Sequence, residues 1–423
     1  MLARRAMRII IKVSVRVVLA LNNKDFKIYK NVTYRPIQGL WMPVFVDSLS
    51  ERDLKSLVST VIRLQHMTKI TSFLLAGLVI STSLFASIKE EKMILMTFDG
   101  KPLTAIVGLP EGNPKAVAVI LQGSGNVGAD GDVSGPFLGA GYKGAPAKLS
   151  EQLAATLAEE GIATVRYSKR GVEDASELPN QTIPFLVKDA KSALELAQSR
   201  FPGAKVSILG FSEGALLAVL VATQAPVNAL FLMGLPARSI DDSLKYQFSE
   251  WPLELIAKTI DRDHNGELSA AELDSYKGTK APILNMEFKD LDADGNGTIS
   301  LAKEIAPAYQ GYLSVVMGMV QKPPFDKWYS SLKELAPLSE SAKTLHPRAV
   351  YFYHGADDAQ TRADWMLQDV PFYRGAKKLH VKVFNGLGHC FAPMEGAMGD
   401  VKTSGPIDPA VLDQLRHDFS RLY

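Results

Sequence analysis

Short apolar runs alternate with helix-period segments from residue 93 to residue 233. A chain with this rhythm buries its apolar runs as a mostly parallel sheet covered by helices on both faces. The spacing predicts strands over 93–98, 103–107, 116–121, 163–167, 206–209 and 229–233. Helices are predicted over 147–160, 185–200 and 215–223. From residue 239 to 345 the rhythm stops. It resumes with strands over 349–354 and 380–384 and a last helix over 409–422. The expected fold class is therefore α/β, with a mostly parallel central sheet. Its core is divided into residues 88–238 and 346–423 by an α-helical cap inserted late in the sheet, 239–345.

Gly210-Phe211-Ser212-Glu213-Gly214 fits the pattern G-x-S-x-G. With glycine near 7% of residues, that pattern turns up by chance in roughly one chain of this length in eight, so the five residues alone carry little. Their context carries more. The run 206–209 enters as a buried strand and 215–221 leaves as a helix, which predicts a sharp strand-to-helix turn. Small residues must flank such a serine because the backbone doubles back there. The turn also puts Ser212 at a helix N-terminus, where free N–H groups favour developing negative charge.

A serine hydroxyl needs a base, and histidine has the pKa for it at neutral pH. Of seven histidines, His389 sits in a loop directly after the last predicted strand, where parallel sheets build their sites. His354 and His380 read as strand residues, His264 falls in an acidic loop, and His66 lies far upstream. The orienting acid belongs after an earlier strand. Asp358 is favoured there, with Asp357 as the alternative. Ser212, Asp358 and His389 then stand in the chain order expected of a triad on this fold.

Five segments carry a family resemblance: Gln122-Gly123-Ser124-Gly125, Arg166-Tyr167-Ser168-Lys169-Arg170-Gly171, the turn around Ser212, Gly355–Asp358, and Gly388-His389. Through them residues 93–235 and 325–423 resemble the α/β-hydrolase superfamily, close to its dienelactone-hydrolase-like and prolyl-oligopeptidase-like esterases. The resemblance implies a serine esterase acting on a small-molecule acyl substrate. It also implies an oxyanion hole built from the backbone N–H groups of Ser124 and Glu213. Gln122 departs from the family, many of whose members carry histidine there, and Val172-Glu173 replaces the usual small residues. Arg170 reads as a structural arginine. Two other readings stay open: a calcium-binding or interaction module without catalysis, and a peptidase or thioesterase using the same triad.

Asp261–Glu272 matches the twelve-residue EF-hand loop at every ligand position. Asp261, Asp263 and Asn265 would supply side-chain oxygens and Glu267 a backbone carbonyl. Ser269 would act directly or through water, and Glu272 would close the site with both oxygens. Gly266 serves the sharp turn at position six. A second loop offers Asp292, Asp294, Asn296 and Thr298, but Lys303 stands at its twelfth position and Glu304 one residue later. Either that loop is stretched so that Glu304 reaches the metal, or the site is weak. The expected cofactor is Ca2+.

Net charge is +2, but it is unevenly spread. Residues 1–66 carry 12 Lys/Arg against 4 Asp/Glu, and the rest carry 35 against 41, so the body is mildly acidic. Such a body gives no reason to expect nucleic acid as a partner. A single cysteine, Cys390, excludes an intrachain disulfide. Residues 67–87 combine a short basic start, an uncharged apolar run and small residues near its end, the parts of a secretory signal. Its many Ser and Thr make it a poor membrane span. The expectation is secretion or export to the periplasm, with residues 1–66 an extension upstream of a true start at Met67.

Overall fold

In Ala116–Leu121 (β3) all six residues are buried, and their side chains divide by alternation. Val117, Val119 and Leu121 enter one hydrophobic core, while Ala116, Ala118 and Ile120 enter a second. A strand apolar at every position is what a sheet needs when both of its faces are covered. The computed structural model describes residues 89–132, 148–275, 288–393 and 406–423. The extension 1–66 and the signal reading at 67–87 lie outside the described residues.

Around β3 run Lys89–Met96 (β1), Pro102–Leu109 (β2), Ile162–Tyr167 (β4), Lys205–Phe211 (β5) and Ala229–Met233 (β6). Two further short strands, Glu267–Ser269 (β7) and Thr298–Ser300 (β8), belong to the insertion. Ala349–Gly355 (β9) and Leu379–Phe384 (β10) complete the sheet. The order is β1-β2-β4-β3-β5-β6-β9-β10. Only the β1–β2 and β2–β4 pairings are antiparallel, and the other five are parallel.

Helices Leu149–Glu159 (α1), Ile183–Arg200 (α2) and Glu213–Ala222 (α3) connect the parallel strands. The apolar stripe of α2 (Leu186, Ala190, Ala193, Leu194, Ala197) and most of α3 pack into the first core. Leu153 and Leu157 of α1 pack into the second, where they meet Val411, Leu415 and Phe419 of the C-terminal helix, Pro409–Leu422. Helices therefore cover both faces, and the sheet is the frame that sequence periodicity predicts.

The insertion between β6 and β9 is mostly helical among the described residues. It comprises Ile240–Lys245 (α4), Trp251–Thr259 (α5), Ala270–Ser275 (α6), Phe288–Leu291 (α7), Ala306–Val320 (α8), Asp326–Lys333 (α9) and Leu338–Ala342 (α10). A small antiparallel pair, Glu267–Ser269 (β7) and Thr298–Ser300 (β8), sets Leu268 opposite Ile299. Both side chains are fully buried over a separate core that holds Ile256, Ile260, Leu291, Ile305 and Tyr309. Among the described residues no helix is long and apolar enough to cross a membrane.

Arg170 is fully buried, with bonds to Asp189 (2.6 and 2.7 Å), Asp99 (3.2 and 3.3 Å) and Glu177 (3.2 Å). Burial raises the pKa of Asp189, only partly offset by Arg170, whereas Asp99 is pulled down to about 2, the bonds from Arg170 and Thr97 and the charge of Arg170 together outweighing burial there. The arginine fixes the chain after β4 to the turn between β1 and β2 and to α2, a structural role. Removing it would strand a fully buried carboxylate.

Candidate active site and metal centres

The turn between β5 and α3 is sterically closed to a side chain at two positions, 210 and 214. A Cβ on Gly210 would lie 2.2 Å from the Gly214 carbonyl oxygen, and one on Gly214 would lie 2.1 Å from that of Leu121. Ser212 sits between them with φ 54° and ψ −121°, a backbone conformation that few side chains adopt and that its surroundings must enforce. The enforcing contacts are local. Ser212 N–H donates to the Met233 carbonyl at 2.8 Å, and the Ser212 carbonyl accepts from Ala215 N–H at 2.8 Å. Ser212 stands half-buried at the N-terminus of α3, and its side chain does not cap that helix.

His389 follows β10 and is 2% exposed. Its ring leans on Phe211, with centroids 5.0 Å apart. A Cβ on Gly234, the residue after Met233, would come within 3.3 Å of both His389 Cε1 and Nδ1. Ser212 and His389 thus lie against adjacent residues, Met233 and Gly234, at the carboxyl end of β6. His389 Nδ1 lies 2.8 Å from Asp358 Oδ2.

Asp358 is 3% exposed and fully satisfied. Its Oδ1 accepts from the N–H groups of Gln360 and Thr361, each at 2.8 Å. Its Oδ2 accepts from Thr361 Oγ1 at 2.9 Å and lies 3.3 Å from His354 Nε2. Burial works to raise its pKa, but the charge of His389 and the bonds from His354 and His389 outweigh burial and hold the carboxyl well below the usual range. Asp357 takes no part, since only its backbone N–H is engaged, by the Leu387 carbonyl at 3.0 Å. His354, which reads from sequence as one more strand residue, is a second histidine on the acid.

The loop after β3 passes beside the turn, where a Cβ on Gly123 would lie 3.3 Å from Ser212 Cβ. Gln122 Nε2 pins that loop through the carbonyls of Gly128 (2.8 Å) and Ala129 (3.1 Å), which explains what a glutamine does at this position. Within the described residues the backbone N–H groups of Ser124 and Glu213 donate no hydrogen bond. Glu213 opens a helix, so its N–H is free by position. Insertion residues reach both parts of the site. Trp328 Nε1 donates to Glu213 Oε2 at 2.6 Å, and Tyr246 Oη donates to the Asp358 carbonyl at 3.1 Å.

The two acidic loops of the insertion share the backbone bonds to their first aspartate and to their closing glutamate. In the first, Asp261 accepts from Asn265 N–H (3.1 Å) and Gly266 N–H (3.0 Å). In the second, Asp292 accepts from Asn296 N–H and Gly297 N–H, both at 3.0 Å. Glu272 closes the first loop by accepting from Arg262 N–H (3.0 Å) and Ser269 N–H (2.9 Å). Glu304 closes the second through the corresponding residues, Ala293 N–H (2.6 Å) and Ser300 N–H (2.7 Å). The extra residue before Glu304 is absorbed by a π-helical turn, Leu301–Ile305. Such a turn carries one residue more than an α-turn and re-aims the side chains beyond it. Lys303 is left exposed. Carboxylate oxygens of Asp261, Asp263 and Glu272 lie within 4.8 Å of one another, as do those of Asp292, Asp294 and Glu304, a spacing that fits a hard cation with oxygen ligands.

This strand order, with a strained serine after β5, an acid after β9 and a histidine after β10, defines an α/β-hydrolase fold. No protein-family model matches the chain. The chain is similar to the esterase EstD of Thermotoga maritima, with 23% identity over 333 residues, 77% of this chain and 66% of that protein. The match therefore spans just under two thirds of the relative's length. Among solved structures it is similar to Est1E from Butyrivibrio proteoclasticus, at 14% identity and TM-score 0.42, over 78% of this chain and 98% of that one. It is also similar to a carboxyl esterase from Bacillus coagulans, at 13% identity and TM-score 0.43, over 71% of this chain and 91% of that one.

Proposed function

We propose that the chain is a serine hydrolase that cleaves carboxylic esters or related acyl compounds through an acyl-enzyme. The buried His389–Asp358 pair beside the strained Ser212 carries this reading, and the relative named an esterase agrees with it. Asp358 accepts a hydrogen bond from His389 Nδ1–H, which fixes the ring proton there and leaves the lone pair of Nε2 to act as base. Ser212 Oγ attacks the acyl carbon and gives its proton to Nε2. The carbonyl oxygen becomes an oxyanion facing the N–H groups of Ser124 and Glu213. The alcohol leaves with the proton from Nε2, and water repeats the sequence to release the acid.

A fluorophosphonate probe tests this directly. It should form a covalent adduct that peptide mass spectrometry locates on Ser212. In protein from the native source the same spectra should find an N-terminus near Ser87 or Ile88, as the proposed secretion or export to the periplasm requires. An unlabelled Ser212 would favour a calcium-binding module without catalysis, and peptides from residues 1–66 would remove the signal reading.

The same proposal gives the insertion two calcium sites: Asp261, Asp263, Asn265, Glu267 and Glu272 in one, and Asp292, Asp294, Asn296, Thr298 and Glu304 in the other. Calcium would stabilise the cap, since the triad lies outside the insertion. Outside the cytoplasm, where calcium is millimolar, even modest sites stay filled. Calorimetric titration should find two sites, one removed by Glu272→Gln and the other by Glu304→Gln. At free calcium a hundredfold above Kd each site contributes roughly 2.7 kcal/mol of stability, so chelation should lower the melting temperature. Turnover by the still-folded protein at low temperature should barely change. A calcium-free protein that is folded yet inactive would make the cap a switch instead.

A further inference from the structure

The buried pair of Lys169 and Glu213 takes no part in the proton transfers of the acyl-enzyme path. Both side chains are about 3% exposed, and Lys169 Nζ lies 2.5 Å from Glu213 Oε1. Two charges withdrawn from water cost stability unless every hydrogen-bonding position is used. Here the partners are specific. Lys169 Nζ also donates to the Gly123 carbonyl at 3.1 Å, and Glu213 Oε2 accepts from Trp328 Nε1 on α9.

Each partner bears on a proposed oxyanion donor. The Gly123 carbonyl and the Ser124 N–H are opposite ends of one planar peptide, so fixing the first direction fixes the second. An ammonium on that carbonyl also polarises the peptide and strengthens its N–H as a donor. Glu213 holds the ammonium in place with its side chain while its own backbone N–H is the second donor. We propose that Lys169, Glu213 and Trp328 form a positioning chain that aims the Gly123–Ser124 peptide at Ser212 and ties its alignment to helix α9 of the insertion. This rests on the serine-hydrolase reading.

The ground-state ester barely uses these donors, whereas the tetrahedral oxyanion depends on them. Loss of alignment should therefore lower kcat and leave KM alone. Lys169→Met combined with Glu213→Gln removes both charges and leaves neither stranded. With a short p-nitrophenyl ester, kcat should fall about 10- to 100-fold, less than the loss of a whole donor. KM should stay within about twofold. Phenylboronic acid, whose adduct with Ser212 puts an oxygen in the same hole, should bind more weakly in proportion to kcat. Trp328→Phe deletes only the last link, at a half-buried site, and should lower kcat about three- to tenfold with KM unchanged. If the double variant fails to fold, Trp328→Phe decides alone.

Wild-type kcat in either folded variant overturns the chain. So does a rise in KM at constant kcat for Trp328→Phe, which would make that residue a substrate contact instead. Fluorophosphonate labelling of the wild type separates the two proposals. A labelled Ser212 with indifferent variants sinks the positioning chain alone, and an unlabelled Ser212 sinks the hydrolase reading as well.

Discussion

Ser212→Ala is expected to abolish hydrolysis of a short p-nitrophenyl ester while leaving the melting temperature and circular dichroism unchanged. Nothing else at the turn can attack an acyl carbon. Gly210 and Gly214 carry no side chain, and the Glu213 carboxylate is engaged by Lys169 and Trp328. The fall in kcat should be roughly 10⁴- to 10⁶-fold, the cost of losing the nucleophile when the oxyanion hole and substrate binding survive. That corresponds to about 5–8 kcal/mol of barrier. Structure should survive because the turn is enforced by the flanking glycines and the bond from Ser212 N–H to Met233, all of which alanine keeps. Turnover like that of the wild type would remove Ser212 from the mechanism, whatever the state of the fold.

The strands legible in the sequence are those buried on both faces. β3 and β6 fall where their apolar runs begin and end, because no exposed position interrupts the pattern. β1 starts at Lys89, earlier than periodicity suggests, because an edge strand can expose Lys and Glu on its open side without loss. Helix α2 starts at Ile183, ahead of the predicted 185. Pro184 lies in the first turn, where proline is tolerated because its missing N–H has no partner to lose.

The serine, histidine and acid were each legible as a type of residue at the carboxyl end of a strand. Their support was not. His354 sits inside β9 and looks like sheet filling, and its closeness to Asp358 depends on how the loop to Thr361 folds back. Lys169 and Glu213 are 44 residues apart, and only the crossover from β4 to β5 brings them together. A lysine amid buried residues at the end of a strand was the one available signal, since a buried ammonium demands a partner. In the second acidic loop the displacement of Glu304 was plain, but its resolution through a π-turn depends on packing of Ile305 into the insertion's own core.

Two aspartates stand side by side after β9, and Asp358→Asn against Asp357→Asn should separate them by about three orders of magnitude in kcat. Two backbone N–H groups, of Gln360 and Thr361, point at Asp358 Oδ1. In an asparagine only the amide oxygen can accept from them, so the amide nitrogen must occupy the Oδ2 position, 2.8 Å from His389 Nδ1. That nitrogen carries hydrogens, so Nδ1 must become the acceptor and the ring proton must move to Nε2. The imidazole keeps its place but presents an N–H to Ser212 where the base's lone pair is needed. A fall of roughly 10³- to 10⁴-fold in kcat with little change in KM is the expected result. Asp357 offers the site no side-chain contact, so Asp357→Asn should stay within about twofold of the wild type. Should Asp357→Asn prove the crippling change and Asp358→Asn the mild one, the acid would have to be reassigned, and with it the tautomer of His389 on which the whole proton path depends.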